Sequence, residues 1–181
     1  MSNSKSHPHK NRETSSPLLI LLELSRKARE AKSTDELAFL LVNSTHLLSP
    51  YRQACIWWSD SGVTTLSGVI NTEQNAPYVQ WINQLLKSLR PWPNQPTPLV
   101  SESLSEKDVS LEWSSWFPAH ALVLPLPGLP QGALILARDQ SWSEPELALL
   151  TEWTHTWRVI WKSMQKPGFQ TLWKALVKSW R

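Results

Sequence analysis

Apolar and polar positions change rhythm twice between Phe117 and Trp157. Two short apolar runs, His120 to Leu126 and Ala133 to Ala137, flank a Pro127-Gly128 turn. That is the pattern of paired hairpin strands, expected over 120–126 and 132–138. Ser143 then stands three residues before Glu146, the spacing at which each side chain caps the other's backbone N–H. A long apolar-periodic helix over 143–164 follows.

The same reading orders the rest of the chain. Pro17 opens a helix over 17–31 with Leu18, Leu21 and Leu22 on one face and Leu19, Ile20 and Leu24 on others, so it is apolar all round and expected to be covered on more than one side. Ser33 and Glu36 form a second capping box before Leu37, Leu40, Leu41, Leu47 and Leu48, and Pro50 ends that helix. Arg52 to Trp58 alternates as a strand (53–58), Asp60-Ser61-Gly62 turns the chain, and a second strand is expected over 63–70. Pro77 starts a helix over 77–89, with Val79, Ile82, Leu85, Leu86 and Leu89 at helical spacing. Four prolines between Pro91 and Pro98 predict an extended loop, and the acidic stretch from Ser101 to Glu112 is expected to stay on the surface. The order predicts an α/β (α+β) fold: an antiparallel sheet with the amino- and carboxy-terminal helices on one face and the 77–89 helix on the other.

Charge divides the chain. The 181 residues carry a net charge of +3, yet all fifteen acids lie within 13–161 against ten Lys and Arg, leaving that region at −5. Residues 1–12 and 162–181 carry cations alone. An acidic core disfavours nucleic acid as a partner, since phosphate neutralisation needs a basic face. Residues 1–16 read as a disordered basic arm, 17–165 as the domain and 166–181 as a basic tail. No segment reaches the roughly 18 apolar residues of a membrane span. The amino-terminal residues have no long apolar stretch directly behind them, so no signal peptide is expected.

Four segments carry a family resemblance: AFLLVNSTHLLSPYRQACIWW (38–58), LSGVINTEQNAPYVQWIN (66–83), EWSSWFPAHALVLPL (112–126) and GALILARDQSWSEPELALL (132–150). With the element order they resemble a GAF domain, in particular the cytoplasmic GAF-like region of bacterial haemolysin-secretion-type periplasmic adaptors (membrane-fusion proteins). The resemblance implies a non-enzymatic regulatory or assembly domain of a secretion or efflux system at the cytoplasmic face of the inner membrane. Transporter components would be its partners. Such adaptors continue into a transmembrane helix, which would begin near Arg181, either in a longer protein of which this domain is a piece or encoded separately.

Candidate chemistry is sparse. Cys55 is the sole cysteine and lies mid-strand, where a small buried hydrophobe is expected rather than a nucleophile. One cysteine completes neither the cycle of GAF-type methionine sulfoxide reductases nor the attachment that bilin-binding GAF domains make. The cyclic-nucleotide pattern of that family is not visible. His46, His120 and His155 lack metal-ligand spacing, and no nucleotide or hydrolase motif occurs. No catalytic residue, cofactor or metal is expected, and a thiol enzyme using Cys55 is the least favoured alternative.

Ten of the twelve tryptophans fall into three groups. Trp57, Trp58, Trp81, Trp113 and Trp116 cluster around the first strand, the 77–89 helix and the segment before the third predicted strand. In a GAF fold Trp57, Tyr78, Trp81, Trp116 and His120 would border a cavity suited to a planar small molecule, the alternative being a Trp-heavy core. Leu150, Trp153, Trp157, Ile160 and Met164 recur at 3-4-3-4 spacing, with Trp161 beside them. Together with Leu18, Leu21 and Leu22 they predict a homodimer through the terminal helices, or plain core packing. Trp173, Leu176, Val177 and Trp180 share one helical stripe, with Lys174, Lys178 and Arg181 off it. That pattern predicts an interfacial segment at the inner-membrane surface or the flank of a transmembrane helix. A tail folded onto the domain's own surface is the alternative.

Overall fold

Capping chemistry sets the helix starts. A computed structural model describes residues 16–165 and 176–179. Pro17 sits at the first position of α1 (Pro17–Glu30), where its missing N–H has no intrahelical role. The Ser33 hydroxyl accepts the Glu36 N–H at 3.1 Å to start α2 (Thr34–Ser44), and the Glu36 carboxylate accepts the Lys32 N–H. A 3₁₀ turn over Thr45–Leu47 leads to the hairpin of β1 (Gln53–Trp58) and β2 (Gly62–Leu66). Then come α3 (Pro77–Ser88), β3 (Thr97–Leu99), α4 (Lys107–Trp116), β4 (His120–Leu126), β5 (Gly132–Arg138) and α5 (Glu144–Gln165). The second capping box also forms, with the Ser143 N–H on the Glu146 carboxylate at 2.9 Å.

The strands make one antiparallel sheet in the order β2-β1-β5-β4-β3. Successive side chains of a strand point to opposite faces, and each face carries its own core. Ala54, Ile56, Trp58, Leu122, Leu124, Leu134 and Leu136 pack under α1, α2 and α5. Cys55, Trp57, Ala121, Val123, Ala133, Ile135 and Ala137 pack under α3 and α4. The terminal helices therefore share one face and the 77–88 helix takes the other, as the sequence pattern predicts. The hairpin β4–β5 and α5 also lie where expected. Gly132 is required where it stands, because a Cβ there would meet the Trp58 ring at 2.2 Å.

Three segments differ from expectation. β2 ends at Leu66, and Ile70 is almost wholly exposed. Within the proline-rich stretch, Thr97–Leu99 pairs with Ala121–Val123 as an edge strand, a sheet position that tolerates a proline lacking a backbone donor. The stretch expected on the surface contains α4, whose Val109 and Trp113 lie one turn apart and are both buried.

Candidate functional site

The face under α3 and α4 gathers most of the proposed ligand-binding residues. α3 points Trp81 inward through its apolar stripe, and the ring meets Phe117 edge-on at 4.9 Å and Trp113 edge-on at 6.0 Å. Tyr78, one turn from Trp81 on the same helix, faces Trp116 at 5.8 Å and Phe117 at 6.2 Å. Trp57 comes from β1 and stacks on Trp92 with centroids 5.0 Å apart. The indoles are mostly satisfied by the protein itself. Trp81 donates to the Val109 carbonyl at 3.0 Å, Trp113 to Pro118 at 2.7 Å and Trp116 to the Glu112 carboxylate at 3.2 Å. Trp57 is the exception: its buried Nε1 has no partner. Edge-to-face packing at these distances is that of a filled aromatic core.

His120 does not belong to this cluster. It pairs with Arg138 across the β4–β5 ladder, and strand alternation next to Ala121 places it on the opposite face, under the terminal helices. Sequence alone groups it with the aromatics, because the face of a strand's first residue depends on a register not visible before pairing. Phe117 and Trp92 were missed in turn. The Trp113/Phe117 spacing of four was the available signal for the first, and the proline-rich run around Trp92 concealed the second.

Cys55 lies on the same aromatic face, 2% exposed, and desolvation pushes its thiol up to about 12. Burial likewise pushes the Tyr78 hydroxyl up. A protonated buried thiol is a poor nucleophile. Among the described residues no group of three His, Cys, Asp or Glu side chains is placed to hold a metal ion.

The second tryptophan group corrects the interface expectation. Leu150, Trp153 and Trp157 are fully buried inside the chain's own core, so they are not a surface seam. Trp157 donates to the Leu37 carbonyl at 2.8 Å, and its ring lies 6.4 Å from that of Trp58. Trp161 and Leu21 are half-buried at the edge of the same core, whereas Leu18 and Leu22 are about two-thirds exposed. Periodicity identified the buried stripe of α5 but could not say that the covering partner is the sheet. Arg158 was not anticipated. It is fully buried beside the stacked Trp58 and Trp161 rings, 4.7 Å from each centroid, and donates to the carbonyls of Pro127 and Pro130.

Of the tail, Leu176, Val177 and Lys178 lie in a helical turn and are exposed, while Trp173, Lys174, Trp180 and Arg181 fall outside the described residues. No described helix is long and apolar enough to cross a membrane.

Solved structures resemble this arrangement along nearly their whole length. The GAF domain of a protein described as a sensor histidine kinase from Pseudomonas syringae pv. tomato superposes with a TM-score of 0.55 at 15% identity, covering 90% of this chain and 92% of that one. The fold is GAF-like. The phycocyanobilin-bound GAF domain of a cyanobacterial phytochrome superposes with a TM-score of 0.57 at 10% identity, covering 82% of this chain and 95% of that one. The GAF domain of a phosphoenolpyruvate-protein phosphotransferase (ptsP) from Coxiella burnetii gives 0.57 at 10% identity, over 83% and 95%. No family model and no curated relative matches the chain. Identities this low carry the fold alone.

Proposed function

We propose that this GAF-like domain is a non-enzymatic regulatory and assembly module that pairs with a second copy through α1. It would serve a bacterial secretion or efflux adaptor at the cytoplasmic face of the inner membrane. The observation that carries the assembly reading is the outer side of α1. Leu18, Leu19 and Leu22 are each more than three-fifths exposed on a helix that lies beside α5, although Leu24 and Ala28 of the same helix are fully buried. Three neighbouring exposed leucines on one helix end form the kind of patch that marks an interface. The adaptor and membrane parts rest on the sequence resemblance and on the Trp/Leu and lysine faces of the tail.

Sedimentation tests the pairing. The chain should associate at tens of micromolar, and Leu22→Glu should yield a folded monomer whose melting temperature, unlike the wild type's, does not depend on protein concentration. A wild-type monomer at that concentration defeats the pairing. Anionic vesicles test the tail: binding should weaken with salt and vanish on deletion of 169–181.

A small-molecule sensor is the second reading. Its favouring observation is the orphan buried indole N–H of Trp57 beside Trp92, a donor that a ligand acceptor would satisfy. One structural neighbour binds phycocyanobilin. Thermal-shift screening against tetrapyrroles, nucleotides and aromatic metabolites decides it, because binding to the native state raises the melting temperature.

A further inference from the structure

Between α1 and α2 runs an open groove of about 520 Å³ with Phe39 and Leu40 along one wall and Ala31 at its end. Phe39 is 61% exposed and takes no part in the core beneath it. Glu30, Asp35 and Glu36 border the groove against the single cation Lys27. Glu30 is held by Arg26 at 2.8 Å and Glu36 caps Lys32, whereas Asp35 makes no ion pair among the described residues. The surface is therefore apolar in its wall and acidic at its rim.

We propose that this groove is the docking site of the chain's own carboxy-terminal segment, residues 166–181. Three observations converge on that occupant. The first is where the described helix ends. Trp161 and Gln165 of α5 line one depression together with Thr34, Asp35 and Ala38 of α2, and Asp35 borders the groove as well. The segment after Gln165 thus starts at the groove's edge. Its sixteen residues span about 24 Å as a helix, at roughly 1.5 Å per residue, more than enough to lie along two helix turns of α2.

The second observation is charge. Residues 166–181 hold four cations and no acid, and Gln165, the last residue of α5 before them, lines a depression with Asp35 and Asp60. The third is shape. Trp173, Leu176, Val177 and Trp180 fall at i, i+3, i+4 and i+7, the anchor spacing of a helix laid in an apolar groove. Leu176 and Val177 are 55% and 47% exposed, so the groove wall at Phe39 and these two members of the stripe are both uncovered. Docking hides the same stripe that would enter a bilayer, so the groove holds the tail back until an anionic surface competes for it. The docking itself stands on groove and segment alone.

The test uses the full chain. Trypsin cuts after Lys174 and Lys178, and cleavage of a docked segment follows the population of its open form. Phe39→Gln removes the apolar wall without adding charge, and should speed release of the tail about tenfold. A Phe39→Cys/Val177→Cys pair, oxidised with glutathione disulfide, should close within one chain, since Cys55 is buried and does not compete. Equal cleavage rates in wild type and Phe39→Gln, or no intrachain crosslink, overturn the proposal. A crosslink only between chains assigns the groove to a second copy's tail and also overturns it. On phosphatidylglycerol vesicles Phe39→Gln should bind more tightly than wild type. If neither form binds vesicles, the membrane reading fails while protection and crosslink still stand.

Discussion

Trp153 donates its indole N–H to the Thr45 hydroxyl at 2.8 Å, and that hydroxyl donates onward to the Leu41 carbonyl at 2.5 Å. All three residues are fully buried. The relay joins α5 to the end of α2 across 108 residues of sequence. Together with the Trp157 bond to Leu37, it fixes the two helices against each other by polar contacts inside an apolar layer. Such bonds specify one packing, because a shifted helix would leave a buried donor unmatched.

Trp153→Phe tests this contact. The variant deletes the donor and opens a small void, so unfolding free energy should fall by about 2–3 kcal/mol. Urea denaturation measures it. A Trp153→Glu or Trp157→Glu chain should not fold at all, in contrast to the exposed Leu22→Glu.

Glu146 gives the fold an acid-sensitive element. Hydrogen bonds from the Arg138 guanidinium, at 2.8 and 2.9 Å, draw its carboxyl down to about 2, with smaller help from Ser143 and Ser49. A carboxyl whose folded value is depressed stabilises fully above its unfolded value of about 4.3 and loses that contribution as pH falls toward the folded one. Between about pH 5 and pH 2 the chain should lose about 1–2 kcal/mol through this pair, a figure reduced for partial solvent screening. Glu146→Gln should flatten that part of the stability–pH curve. An unchanged curve would assign the acid sensitivity to other carboxylates.

The fold was largely legible because its signals are local. Pro17 and Pro77 mark two helix starts, the Ser33/Glu36 and Ser143/Glu146 pairs mark two more, and the β4–β5 hairpin has a turn between apolar runs. What failed depends on partners distant in sequence. Thr97–Leu99 is a strand only because β4 offers an edge, and the face of His120 is set by its pairing with Arg138. The stripe through Trp153 and Trp157 was visible, but a helix covered by a sheet and a helix covered by a second copy share one apolar period. Arg158 was hidden for a related reason, since no local pattern announces a cation buried beside a stacked pair of indoles.

Arg158 is a buried cation that closes the β4–β5 loop onto α5. Its Nε donates to Pro127 at 2.8 Å and its Nη2 to Pro130 at 3.0 Å, while Nη1 is buried without a partner. Desolvation lowers its pKa, and none of the described ion pairs includes it. A planar fork that donates to two carbonyls while lying against two stacked indoles is what lysine cannot supply. Arg158→Lys should therefore cost about 2 kcal/mol, and Arg158→Met less than that because no charge stays buried. Chemical denaturation of both variants checks the order. A lysine variant as stable as wild type would show that the fork geometry is immaterial.

Cys55 offers a direct check on whether thiol chemistry belongs to this fold. The side chain is 2% exposed on the sheet face under α3, and desolvation alone pushes the thiol up to about 12. At about pH 8 the thiolate fraction would be on the order of one in ten thousand, since each unit of pKa above the pH reduces it tenfold. Alkylation then has to wait for the chain to open, so its rate reports unfolding rather than intrinsic reactivity. Native protein should resist iodoacetamide and react at once in guanidinium, as read by mass spectrometry of the intact chain. Cys55→Ala should keep the fold at a cost of about 1 kcal/mol, because a small apolar group replaces another. Rapid labelling of the native chain would instead mean an accessible, activated thiol, and would reopen the enzymatic alternative.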